Sequence, residues 1–164
     1  MKISNTRILT THVGSLPRSK AVTDGVFAKE NEQAYSEKSL AITIHHAVDD
    51  VVARQVAVGI DVVSDGEMSK ISYATYIKDR ITGFDGDSDR KPPSDLEDYP
   101  EFLKRQSSSG GTPSYRRPCC VAEIKVKDMA PLNADLANLT AAVNKHKPTE
   151  GFMNAASPGV IALF

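Results

Sequence analysis

"GIDVVSDGEMSK", Gly59 to Lys70, sets the architecture. Ile60 to Ser64 is a short apolar run that stops abruptly at Asp65-Gly66-Glu67. It has too little alternation for a strand with one wet face, and a run of this kind suits a parallel strand buried on both faces. The stretch before it, Glu37 to Val58, carries the strongest helical pattern in the chain. Leu40, Ile44, Ala47, Val48, Val51 and Gln55 fall on one face at 3.6-residue spacing. Gly59 then stands where a left-handed helix cap belongs. A long amphipathic helix feeding a buried strand across a glycine is a building unit of α/β proteins.

Working outward, "LTTHVGSLPR" (Leu9 to Arg18) repeats the grammar. Ile8 to Val13 reads as a strand ended by Gly14-Ser15 and Pro17, with a looser helix from Lys20 to about Gln33. After Glu67 a short helix runs through Tyr73 and Tyr76 to about Ile81. Residues 85–118 change character: Pro92, Pro93, Pro100 and Pro113, a Ser/Gly tract at Ser107 to Gly111, and many charges predict a long irregular insertion with one short helix near Asp95 to Arg105. Cys119 to Val126 reads as a third strand. Leu132, Leu136, Leu139 and Val143 mark a helix over Leu132 to Lys145, and Phe152 to Phe164 a fourth strand region broken at Ser157-Pro158-Gly159. The expected class is α/β with parallel strands and flanking helices, a single domain over 1–164. Polar groups collect just after the strands, where open sheets and (β/α)8 barrels place their sites. A full barrel takes about 250 residues, and this pattern supplies roughly half of its βα units, so the expectation is a partial barrel ending on an open apolar edge, "VIALF".

Composition narrows the function. The 164 residues are 40% hydrophobic, enough for a core, and 20 basic against 21 acidic side chains leave a net charge of −1. That balance offers no footprint for nucleic acid or a membrane surface. No apolar stretch approaches the ~18 residues of a membrane span, and the N-terminus lacks the apolar core of a signal peptide. The two cysteines, Cys119 and Cys120, are adjacent and would point to opposite faces of a strand. A reducing, cytoplasmic location is expected.

The strand ends carry the chemistry. Ser15 and the turn amides beside it suit a carboxylate; the competing reading is a serine bonded to its own turn. Glu67 suits an ammonium or general-base work, or else forms a cap and first-turn pair with Ser64 or Asp65. His12 at the tip of the first strand is more often structural, and Arg18 offers a bidentate grip on a carboxylate where most loop arginines are simply solvated. His45 and His46, and Tyr73 and Tyr76, read as structural or packing residues. P-loop, G-x-G-x-x-G, G-x-S-x-G, C-x-x-C and H-E-x-x-H signatures are all missing.

"TTHVGSLPR" and "GIDVVSDGEMSK", about fifty residues apart with a helix between them, resemble the cobalamin-independent methionine synthase family. They are most similar to its stand-alone C-terminal-domain homologues, the 5-methyltetrahydropteroyltriglutamate–homocysteine methyltransferase-like proteins. "RITGF" (Arg80 to Phe84) and "FMNAASPGVIAL" (Phe152 to Leu163) add to the resemblance. It implies a (β/α)8 barrel that moves a methyl group from a methylfolate to the thiol of homocysteine, with zinc holding the thiolate. It implies that Ser15, with the Val13 and Gly14 backbone, and Glu67 bind the amino-acid part of homocysteine or methionine, with His12, Arg18 and Asp65 as further candidates. The zinc ligands implied are a His-x-Cys pair, a glutamate and another cysteine. Nothing here matches His-x-Cys, so the ligands are expected beyond this chain, no metal site within it, and no methyl transfer by it alone. Two alternatives stand beside this reading: a relative acting on another small thiol such as coenzyme M, and a non-catalytic amino-acid-binding protein that pairs its open edge with a second copy.

Overall fold

The computed structural model describes residues 2–86, 94–109 and 118–161. It is a mixed α/β structure with parallel strands and, among the described residues, no closed barrel. Helix α1 spans Lys20–Glu30 and α2 spans Glu37–Ala57, each opened by a serine whose side chain accepts a first-turn amide. Gly59 follows α2 with φ +85°. Strand β1, Val62–Ser64, then enters the middle of the molecule.

Three segments lie side by side and parallel. Thr11 bridges Val62 on one flank of β1. On the other, β1 pairs with a later strand, Glu150–Phe152, called β4 below, setting Val62 opposite Glu150 and Ser64 opposite Phe152. The first strand, expected over Ile8 to Val13, is reduced to that single bridge. Asp61 explains the change: Arg7 and the Thr10 amide and hydroxyl converge on its carboxylate instead of extending a ladder. Ile8 and Val13 stay in solvent, 84% and 68% exposed.

After α3 (Tyr73–Arg80) the chain departs from the predicted pattern. Strand β2, Phe84–Asp85, pairs antiparallel with β3, Cys119–Cys120, and Ile81 bridges Val126 in the same sense. The segment Cys119 to Val126 is therefore not a third parallel strand but the return arm of an antiparallel ribbon. Gly83 makes the close approach possible: a Cβ there would lie 2.6 Å from the Ala122 carbonyl oxygen. Within the insertion, α4 (Ser94–Glu97) and α5 (Pro100–Ser109) replace the one short helix expected; the remaining prolines Pro92, Pro93 and Pro113 lie outside the described residues. Helix α6, Ala130–His146, leads into β4. The predicted strand over Phe152 to Phe164 stops at Phe152, because Ser157 caps a turn of helix, α7 (Pro158–Ile161); residues 162–164 lie outside the described set.

The core is built on α2. Val48, Val51 and Val52 pack with Val63 of β1, Met68, and Leu139 and Ala142 of α6. Nearer its start, Leu40 meets Val22 and Val26 of α1. Buried Gln55 faces the end of β1, where its amide group donates to the Ser64 carbonyl and accepts from the Ser64 amide (2.8 and 3.1 Å). No helix among the described residues is long and apolar enough to cross a membrane.

Candidate functional site

The turn after β1 is held on every side. The Ser64 hydroxyl accepts the Gly66 amide, and one carboxylate oxygen of Asp65 accepts the Glu67 amide at 3.0 Å. The Gly66 carbonyl accepts from Leu16, which locks the first strand end against the second at 3.0 Å. Arg18 lies beneath, its guanidinium donating to the carbonyls of Glu67 and Lys70. Gly66 and Glu67 are both left-handed, with φ +61° and +57°. A side-chain-bearing residue in that region costs roughly 1–2 kcal/mol, and such strain concentrates at functional sites.

The strained turn lifts the Glu67 carboxylate into a cluster of donors. Ser15 Oγ donates to Oε2 at 2.7 Å; Tyr73 Oη and Asn154 Nδ2 each donate to Oε1 at 3.0 Å. Glu67 is only 7% exposed. Burial pushes its carboxyl up, but the bonds from Ser15, Asn154 and Tyr73 and the charge on Lys70 outweigh that, so it ends below the ordinary glutamate range. Burial, then the bond to Glu67, push the Tyr73 hydroxyl up to about 12. The site is thus an ionised carboxylate at the mouth of two parallel strands, supplied with neutral donors.

Under it lies a buried ionic cluster. Lys70 Nζ sits 2.8 Å from Asp65 and 3.2 Å from Asp135 of α6, with the Tyr76 hydroxyl donating to Asp135 at 2.7 Å. The ammonium also lies 5.1 Å from the centre of the Tyr76 ring. The cluster ties α3 and α6 to the turn that carries Glu67.

Of the candidate residues, the structure brings Ser15 and Glu67 into direct contact. Val13 and Gly14 lead into Ser15 along the exposed strand end. Asp65 is buried within the turn, bonded to Lys70 and the Glu67 amide rather than to the Glu67 side-chain cluster. Arg18 turns its guanidinium to backbone carbonyls. His12 Nε2 is shut from solvent with no hydrogen-bond partner among the described residues. His45, on the outer side of α2, shares a hydrogen bond with Asn138 of α6 at 3.0 Å.

Sequence reasoning missed Tyr73 as a site residue, and Asn154, Lys70 and Asp135 altogether. Asn154 had a readable signal, since it follows β4 as Ser15 follows the first strand and Glu67 follows β1. Among the described residues, no group of three or more His, Cys, Asp or Glu side chains converges to hold a metal ion. The donor set that zinc requires is thus not found in the described part of the chain.

The family described as the catalytic domain of the cobalamin-independent synthases matches residues 8–94, a span that holds both strand-end motifs. No curated protein matches the chain.

Proposed function

Because the chain belongs to the cobalamin-independent synthase catalytic-domain family, we propose that it is a part-barrel of the methionine synthase type that binds the amino-acid portion of homocysteine or methionine. The observation that carries this is the 2.7 Å contact between Ser15 and Glu67 across two parallel strand ends. An α-amino acid presents an ammonium and a carboxylate on one carbon. Its ammonium goes to Glu67, whose ionised form is favoured by its surroundings. When that ammonium occupies Oε2, the Ser15 hydroxyl is released to donate, with the amides of residues 13–15, to the ligand carboxylate. Tyr73 and Asn154 keep the other oxygen of Glu67 oriented.

The reaction of this lineage makes a sulfur–methyl bond on the thiol and breaks a nitrogen–methyl bond on a methylfolate. The role we assign to this chain, on the Ser15–Glu67 contact, is to hold and orient the amino acid, and methyl transfer by the chain alone is expected to be absent. Calorimetric titration tests the binding reading: methionine and homocysteine bind, and Ser15→Ala with Glu67→Ala abolishes the signal. No binding by the folded wild-type chain, or preference for coenzyme M, overturns it. Coenzyme M has no ammonium for Glu67, and Arg18 is already committed to carbonyls. Turnover above background with zinc, homocysteine and a methylfolate would refute the assignment of a binding-only role.

The outer edge of β4 supports a second reading, self-association, because β4 pairs only with β1 among the described residues and free strand edges invite pairing. Light scattering checks it: a dimer is expected, and a monomer at micromolar concentration removes it.

A further inference from the structure

A cavity of about 230 Å³ runs along α3, and its lining takes in Tyr73 but neither Ser15 nor Glu67. Tyr73, Ile77 and Arg80 form its floor, at spacings of four and three residues, and Val126, Ala156 and Ile161 form the facing wall. From Tyr73 to Arg80 is about 10 Å of helix.

Among the described residues Arg80 is the one cation lining this cavity, and its donors are incompletely used. The charged residues just before it on α3 are paired: Lys78 with Glu30 and Asp79 with Lys29. Arg80 has no carboxylate partner among the described residues. One terminal nitrogen reaches the Met129 thioether at 3.9 Å, a weak acceptor, and the guanidinium lies 5.0 Å from the Tyr76 ring centre and within hydrogen-bonding reach of the Tyr76 hydroxyl, which leaves the remaining donors without a charged partner among the described residues. Its Nε is shut from solvent with no acceptor among the described residues. A shielded donor without a partner is costly and calls for an explanation. The helix end is fixed, since the Arg80 carbonyl accepts from the Lys127 and Asp128 amides at 2.7 and 3.1 Å.

We propose that this cavity is a separate binding site for a small organic carboxylate with an apolar body, its carboxylate held by Arg80 and its body by Ile77, Val126 and Ile161. Guanidinium–carboxylate pairing is geometrically favoured and stronger in a water-poor setting. The apolar walls select against a bare inorganic anion. Of the residues around the Glu67 carboxylate, Tyr73 lines this cavity, whereas Ser15, Glu67 and Asn154 do not.

The test uses hexanoate and benzoate as probes on the full chain, followed through the Arg80 Nε–H resonance and by calorimetry. Hexanoate should shift that resonance and saturate, while hexylamine and sulfate should not. Arg80→Gln should weaken hexanoate about tenfold, the loss of one charged hydrogen bond, and Arg80→Lys should weaken it less. Ala156→Leu, which fills the cavity without touching the charge, should weaken it too. Methionine titrations run in parallel. Hexanoate binding that survives Glu67→Gln, with methionine binding that survives Arg80→Gln, establishes two sites. Hexanoate affinity unchanged in Arg80→Gln, or matched by hexylamine, overturns the proposal and leaves the amino-acid reading intact. Displacement of hexanoate by methionine that is lost in Glu67→Gln also overturns it, showing one continuous site.

Discussion

Glu67 combines three properties that rarely coincide: a left-handed backbone, near-complete burial and a full charge. Its carboxyl sits below the ordinary range because neutral donors and Lys70 outweigh the cost of burial. A depressed folded value gives stability that is present above the unfolded glutamate value of about 4.3 and is lost as pH falls through the lower folded one. Methionine affinity should therefore hold level on acidification to about pH 5 and fall only below the ordinary glutamate range, which calorimetry across a pH series will check. Glu67→Gln should cut affinity about tenfold or more, since an amide cannot accept from Tyr73, Asn154 and an ammonium together. Gly66 is as constrained as its neighbour: a Cβ there would stand 3.1 Å from the Leu16 side chain on a backbone at φ +61°. Gly66→Ala should cost roughly 1–2 kcal/mol in denaturant unfolding. Ser15 and Glu67 were readable in the sequence because each follows a strand-like run. The expectation that the two emerge side by side from neighbouring parallel strands is met by their 2.7 Å contact; the bond from Leu16 to Gly66 that locks the two turns together was not readable, since nothing in a linear pattern reports it.

The helices show where periodicity succeeds and where it misleads. For α2 the predicted face is largely the observed one, with Leu40, Val48, Val51 and Gln55 buried and Val52 added. For α6 the leucine register places Leu136 inside, yet Leu136 is 45% exposed and Asp135 beside it is buried. The helix is turned so that Asp135 meets Lys70 and Tyr76, a demand set by a residue 65 positions away. An apolar pattern cannot report such an ionic requirement. Lys70→Met would leave Asp65 and Asp135 facing each other without a cation, and should cost about 3–5 kcal/mol. Lys70→Met with Asp135→Leu should recover part of that loss, because the second change removes one of the two stranded charges. Urea unfolding of the single and double variants measures the difference; equal losses would show that the cluster does not act as a unit.

Across the whole molecule, the parallel sense of the strands was legible from the buried run at Ile60 to Ser64 and its preceding helix. The order was not, since the strand that pairs with β1 is Glu150–Phe152, ahead of the stretch expected to form it. Nor was the antiparallel ribbon of β2 and β3. Its pairing joins segments on either side of the long insertion, and β-favouring residues at Cys119 to Val126 look alike in either direction. Helix α6 closes the core over α2, and Leu139 lies in that contact. Leu139→Ala should cost about 2–5 kcal/mol, read as a lowered midpoint in thermal or urea unfolding. The Gln55 side chain has a consequence for how the molecule opens. Strand tips ordinarily fray first and trade their amide protons quickly with solvent. Here the tip of β1 is clasped by a side-chain carboxamide rooted in the most deeply packed helix. In heavy water the Ser64 amide should be among the last to take up deuterium, and Gln55→Ala should make it one of the earliest.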